Sequence, residues 1–267
     1  MAAAEIRYFV VDAFTNRPFG GNPAAVVPLE HWKDDAWLQN VALEMNLSET
    51  AYLVRNSTGY DLRWFTPTTE VDLCGHATIA SARVLVHLGQ LNDGADVDFS
   101  TRSGVLRAHR AGSQIQLDFP ALPVEPCDPP AGLLESLGVP PRYVGRSRFD
   151  LLVEVASAGV LRKLKPDIQR LGAIRCRGVI VTSASDEAQF DFMSRFFAPQ
   201  VGVDEDPVCG SAHCCLAPYW GQRLGKPKMV AYQASARGGV IHVENRGDRV
   251  ILGGEGVIFA SGEILIG

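Results

Sequence analysis

The chain is short of several things that would mark a specialised class. It has only six cysteines in 267 residues, at Cys74, Cys127, Cys176, Cys209, Cys214 and Cys215. That is far too sparse for a disulfide-stapled scaffold, and reduced thiols in an intracellular protein are expected. Basic residues are in deficit, 25 Lys and Arg against 30 Asp and Glu, for a net charge of −5. A nucleic-acid footprint needs a basic surplus, so no nucleic-acid partner is expected. No stretch approaches the roughly 20 apolar residues of a bilayer span. Glu5 and Arg7 interrupt the apolar run a signal peptide needs. The expectation is a cytoplasmic protein without membrane contact, in which the acceptor-like triplets at Asn46 and Asn56 carry no sugar. A Walker A loop is absent. Phe19-Gly20-Gly21-Asn22-Pro23 has neither the spacing nor the strand-loop-helix setting of a dinucleotide fingerprint and reads as a turn before a strand. No cofactor is expected.

What is present is an ordinary globular composition, 46% hydrophobic with 26 Gly and 16 Pro. Length alone allows one or two domains. Ala121–Ala131 holds four prolines and reads as a stiff extended linker near the middle of the chain. Before it, strands are predicted over Ile6–Phe14, Ala24–Pro28, Ala51–Val54 and Tyr60–Phe65, then Val97–Thr101, Val105–Arg110 and Gln114–Phe119. A helix is predicted over Asp34–Asn46, with acidic residues at its start and Trp37, Val41, Leu43 and Met45 on its apolar surface. An Ala-rich buried helix follows at Gly75–Leu88. After the prolines, strands are read at Leu151–Val155, Gly178–Thr182, Gln189–Phe197, Met229–Gln233, Val240–Glu244, Val250–Leu252 and Gly256–Ile266, with a helix near Ser211–Leu224. Arg237-Gly238-Gly239 reads as a hairpin turn.

The two halves match in detail. Arg63-Trp64-Phe65-Thr66-Pro67 parallels Arg195-Phe196-Phe197-Ala198-Pro199, and Cys74-Gly75-His76-Ala77 parallels Cys209-Gly210-Ser211-Ala212. Each half therefore runs aromatic strand, proline corner, acidic loop, Cys-Gly, apolar helix. The fold expected is α+β, with two pseudo-symmetric half-domains, 1–120 and 121–267, facing each other. Each is a mostly antiparallel sheet wrapped around a central helix, and the final strand is placed to cross back to the first half.

Each Cys-Gly pair lies where a loop enters a helix. Unpaired N–H groups and the positive dipole end there suit a substrate carboxylate, and the same field would lower a thiol's pKa. Gly75 and Gly210 would let the backbone approach a ligand. Two such starts would grip one small carboxylate-bearing molecule, with proton donors or acceptors on opposite faces. The plainer reading makes both cysteines core residues and both glycines caps. Glu49, in Asn46-Leu47-Ser48-Glu49-Thr50, is on pattern alone most simply a solvated loop glutamate. It would become an acid/base if burial lifted its pKa toward neutrality. Asp206 is equally readable as compensation of a helix dipole. His76 and His213 lie just inside the helices, as proton relays or as structural histidines. Cys209, His213, Cys214 and Cys215 lack zinc-site spacing, so no metal is expected.

Asp12-Ala13-Phe14, Gly21-Asn22-Pro23, Asn46-Leu47-Ser48-Glu49-Thr50, Cys74-Gly75-His76-Ala77-Thr78 and Asp206-Pro207-Val208-Cys209-Gly210-Ser211-Ala212-His213, taken together, resemble the PhzF family, the phenazine-biosynthesis-like proteins. The resemblance implies the diaminopimelate-epimerase fold with the active site between its halves. It also implies cofactor-free isomerisation by moving a proton across a small carboxylate-bearing substrate. In the family's namesake enzymes that substrate is a dihydro-hydroxyanthranilate, and the glutamate of the segment matching Glu49 is the acid/base. The resemblance also carries roles to His76, Asp206 and Ser211, in substrate binding and proton transfer. The namesakes lack cysteine at the first motif and carry threonine at the second. Here Cys74 and Cys209 stand where related amino-acid epimerases hold catalytic thiols.

The expectation is an isomerase with Glu49, His76 and Asp206 as catalytic residues. Cys74, Gly75, Cys209, Gly210 and Ser211 would bind substrate, and the assembly expected is a homodimer. The alternatives are a two-thiol racemase or epimerase using Cys74 and Cys209, and a non-catalytic interaction protein that retains the fold.

Overall fold

In the computed structural model, which describes residues 6–265, strand pairing follows the hydrophobic alternation of the sequence. The chain forms two units, one of residues up to Asp118 together with those from Gly253 onward, the other Phe119–Leu252.

In the first unit the strands are β1 (Ile6–Ala13), β2 (Asn22–Leu29), β3 (Glu49–Arg55), β4 (Tyr60–Phe65), β5 (Glu70–Val71), β6 (Asp96–Thr101), β7 (Gly104–Ala111) and β8 (Gln114–Pro120), with β18 (Gly256–Ile264) returning from the end of the chain. Antiparallel pairs join β18 to β1, β1 to β2, β3 to β4, β6 to β7 and β7 to β8. The two parallel pairs are β2 with β3 and β4 with β6. Parallel neighbours need a crossover. Helix α1 (Asp35–Met45) supplies the first and α2 (Gly75–His87) the second. Helix α2 is buried along most of its length and touches β1, β2, β3, β7 and β18, so the sheet does wrap around it.

The second unit repeats this wiring. Its elements are β9 (Glu125–Pro126), α3 (Leu133–Leu137), β10 (Pro141–Arg146), β11 (Asp150–Val155), α4 (Ala158–Lys163), α5 (Ile168–Gly172), β12 (Gly178–Ala184), β13 (Phe192–Ala198), β14 (Val203–Asp206), α6 (Gly210–Leu224), β15 (Lys228–Gln233), β16 (Gly239–Asn245) and β17 (Arg249–Gly254). Here β11 pairs parallel with β12 across α4 and α5, and β13 pairs parallel with β15 across α6. The remaining neighbours are antiparallel, as in the first unit. The internal repeat extends to side chains. Arg63 grips Glu70 through Nε–Oε1 at 2.7 Å and Nη2–Oε2 at 2.8 Å, while lying over the Phe65 ring. Arg195 grips Glu205 at the same 2.7 and 2.8 Å while lying over Phe197. Each bidentate fork holds a short strand, β5 or β14, beside the aromatic strand and so fixes the loop that leads into the central helix.

Two expectations need correction. The proline run is no free linker. Pro126 and Glu125 pair with Gly145 and Arg146 of β10, and Ala121 N–H donates to Asp248 O and Leu122 N–H to Cys214 O. Prolines lose a donor at every position, but an edge strap needs only some of its N–H groups paired. The hairpin turn read at Arg237-Gly238-Gly239 is present: β15 and β16 pair antiparallel around a loop from 234 to 238, with Gly238 at φ +66°. In α1 the buried residues are Leu38, Val41 and Ala42, whereas Leu43 is 55% exposed. Those three follow the i, i+3, i+4 rule and pack on Val27, Tyr52 and Phe65. Leu43 lies outside that stripe. Asp34 caps the helix by accepting from Trp37 N–H at 2.7 Å, and Asn46 ends it in the left-handed region at φ 48°. Among the described residues no helix is long and apolar enough to cross a membrane.

Leu38→Ala is expected to cost about 2–5 kcal/mol in urea unfolding, as buried leucines do. Leu43→Ala should stay within about 0.5 kcal/mol of wild type. Equal losses would place the wrong stripe against the sheet.

Candidate active site

Three segment starts in the first unit bring polar side chains together. The left-handed Asn46 ends α1 and turns the chain through Leu47 and Ser48 into β3, whose first residue is Glu49. Parallel pairing sets Glu49 beside Ala24, two residues after Asn22 at the start of β2. Helix α2 begins at Gly75, with Cys74 as extended N-cap. The Cys74 side chain accepts no capping bond, and the first turn holds no acidic residue. The positive end of this helix is thus left without an internal counter-charge. Thr78 Oγ1 instead donates to Cys74 O at 2.6 Å.

Glu49 Oε2 lies 3.0 Å from His76 Nε2. The ring N–H is not aimed at this oxygen, which is shut off from solvent without an aligned hydrogen bond. The contact is therefore an ion-pair approach more than a hydrogen bond. On the other side of the ring, Nδ1 is 3.5 Å from Cys74 Sγ and 3.3 Å from Asn22 Nδ2. Ser48 Oγ donates to Asn22 Oδ1 at 3.0 Å. Asn22 and Ser48 join the site without a signal in the sequence, because nothing in their spacing reports that one amide spans two site residues.

Burial opposes charge on Glu49, yet the charge of His76 and contacts with His76 and Cys74 outweigh it and hold the carboxyl below its ordinary value. Activation by a lifted pKa is thus overturned, and Glu49 rests as a carboxylate. Burial also opposes charge on His76, but Cys74 and Glu49 facing the ring carry its pKa well above the ordinary imidazole value. Cys74 is itself pushed upward by burial and by the Glu49 charge, against the pull of His76. A protonated thiol contributes no charge, so the upward push on His76 comes from Glu49. The thiol-activating helix field expected from sequence is outweighed by desolvation.

In the second unit Cys209 is the extended N-cap of α6, again with no side-chain capping bond. Its N–H donates to Oε1 of the fully buried Gln233, whose Nε2 donates to Asp206 O. Asp206 Oδ1 accepts from Val208 N–H at 3.2 Å, and Cys209 Sγ lies 3.3 Å from Ser211 Oγ. Asp206, Cys209, Gly210 and Ser211 are thus gathered at one helix start, as Cys74, Gly75 and His76 are at the other. Cys209 is driven far upward by burial and by Asp206, against Arg177. His213 is structural. Its Nδ1 lies 2.7 Å from Cys209 O, and burial lowers its pKa to about 4. Cys214 and Cys215 direct their sulfurs at carbonyls within α6. Among the described residues, the donor group compact enough for a metal is instead Glu49, Cys74 and His76, whose ligand atoms lie within 4.8 Å of one another.

Residues 11–262 match the model of the phenazine biosynthesis-like proteins, PhzC-PhzF. The chain belongs to this family. An uncharacterized isomerase of Halalkalibacterium halodurans is 52% identical over 97% of this chain and 98% of its own length. A PhzF-family crystal structure from Enterococcus faecalis is 42% identical with a TM-score of 0.94, over 98% of this chain and all of the other. A predicted epimerase of Pseudomonas aeruginosa is 25% identical with a TM-score of 0.74, over 98% of this chain and all of its own. The expected diaminopimelate-epimerase-like α+β fold holds, and the names of these relatives are those of an isomerase and a predicted epimerase.

The pair predicts a pH window for stability. A depressed carboxylate contributes above its unfolded value of 4.5 and is lost as pH falls through its folded value. A raised imidazole contributes below 6.5 and is lost as pH rises through its higher folded value. Urea titrations should therefore show the stability gap between wild type and Glu49→Gln at its fullest between pH 4.5 and 6.5, narrowing on both sides. A gap independent of pH would show that the two groups are not coupled.

Proposed function

We propose that the chain is a cofactor-independent isomerase that moves a proton within a small carboxylate-bearing metabolite, with Glu49 as the acid/base. The supporting observation is that Glu49 is kept ionised by His76, while both helix-start thiols are kept protonated by burial. A base must be deprotonated before the reaction begins, and only the carboxylate meets that condition. Glu49 takes a proton from a substrate carbon, and the bonding pair delocalises toward the conjugated carboxylate. The same proton returns from Glu49 to a different carbon, so no electrons enter or leave. Unpaired N–H groups at the Gly75 end of α2 suit the negative charge that develops.

In this reading His76 stabilises the ionised base and Asp206 assists proton transfer. Cys74, Gly75, Cys209, Gly210 and Ser211 hold the substrate. The two-thiol racemase is disfavoured, since it needs one cysteine as thiolate at rest.

Incubation with candidate unsaturated carboxylates in D2O, followed by NMR, tests the reading. Glu49→Gln should lower deuterium incorporation by roughly 10²–10⁴-fold, the usual worth of a general base. Cys74→Ser and Cys209→Ser should stay within about tenfold of wild type, a loss of at most ~1.4 kcal/mol in barrier. Exchange that survives in Glu49→Gln but vanishes in both serine variants would transfer the chemistry to the thiols.

A further inference from the structure

Asn22 has no solvent exposure and stands at the first position of β2. The backbone fixes it from both sides. Gly21 before it sits at φ +62°, and a Cβ there would come within 2.0 Å of Ala13 O, so the turn into β2 takes only glycine. Pro23 after it restricts Asn22 to extended conformations. The motif that reads in sequence as a mere turn is thus a mount for one amide. Oδ1 of that amide accepts from Ser48 Oγ at 3.0 Å, and Nδ2 reaches His76 Nδ1 at 3.3 Å.

An amide N–H can donate only to a ring nitrogen that keeps its lone pair. We infer that Asn22, backed by Ser48, is a positioning residue that selects the Nε2–H tautomer of the neutral His76 ring, so that the remaining proton sits on the nitrogen nearer Glu49. This inference rests on the reading of Glu49 as the acid/base. Cys74 fits the same arrangement, since its sulfur lies 3.5 Å from Nδ1. Glu49, on β3, is the charged group facing the other nitrogen. A second proton, on Nδ1, would meet the Asn22 N–H head-on. The amide would then turn over, and the Ser48 hydroxyl would switch from donor to acceptor. Asn22 thus opposes the pull of Glu49 toward imidazolium and confines any proton change to one nitrogen.

The test needs no substrate. In protein labelled with 15N-histidine, long-range 1H–15N correlations distinguish the two neutral tautomers and the imidazolium, with His76→Gln assigning the signal. Across a titration to alkaline pH, the neutral ring of wild type should show an unprotonated Nδ1 and a protonated Nε2. In Asn22→Asp the new carboxylate accepts from Nδ1–H, so Nδ1 should stay protonated where wild type has lost that proton. Ser48→Ala, which removes only the support of the amide, should mix the two tautomers. A neutral wild-type ring protonated at Nδ1 would overturn the inference even if neither variant folds. An unchanged Nε2–H tautomer in folded Asn22→Asp would overturn it as well. If the tautomer is as stated but Glu49→Gln leaves deuterium exchange intact, the acid/base reading fails and the positioning role stands.

Discussion

A carboxylate and an imidazole sharing one buried place constrain the first unit more than any other contact. Taken singly, each charge would carry a desolvation penalty that burial alone cannot return. Together, at 3.0 Å, Glu49 and His76 remain charged where isolated groups would neutralise. The contact requires the first residue of β3 to meet the second residue of α2. That meeting depends on the left-handed Asn46, which ends α1 and aims Ser48 and Glu49 inward. It depends equally on the Arg63–Glu70 fork, which anchors β5 just before Cys74.

The duplicated scaffold separates architecture from chemistry. Both units use an arginine fork, a short strand, an extended cysteine N-cap and a buried helix. In both, a side chain one turn into the helix bonds the cysteine carbonyl, Thr78 at 2.6 Å and His213 at 2.7 Å. The histidines therefore occupy different sites in the repeat. His76 takes the position matching Ser211 and faces Glu49, whereas His213 takes the position matching Thr78 and serves as an internal cap. The same ring is a charged partner in one unit and a neutral brace with a pKa near 4 in the other.

This contrast marks how far the sequence could be read. Alternation located nearly all long strands, and Tyr60–Phe65 emerged with its observed ends. The repeat foretold the matching wiring because aromatic, proline and Cys-Gly landmarks are local patterns. Short elements such as α3, α4, α5 and β14 are too brief for a periodicity to accumulate, and β10 (Pro141–Arg146) carries no clean apolar alternation. Leu43 is apolar but its angle around α1 places it outside the buried stripe of Leu38, Val41 and Ala42, which hydrophobicity alone does not reveal. The direction of the thiol and carboxyl shifts was out of reach for a different reason. Helix fields follow from position along the chain, whereas desolvation and counter-charge follow from what the fold brings near.

Why the carboxylate and not the thiol carries the charge then follows from competition within one site. Cys74 and Glu49 lie beside the same imidazole, so one imidazolium is available to balance one anion. Ionising both would leave an unbalanced negative charge in a buried place. The carboxyl starts from an ordinary value of 4.5 and the thiol from 9.0, so Glu49 ionises first as pH rises. Once charged, it raises the thiol further. Cys74 is therefore held neutral by its neighbour. The same residue beside a glutamine would lose that restraint, while desolvation would still oppose its ionisation. The division of labour between the two groups is thus set by their order of ionisation and not by the helix start they share.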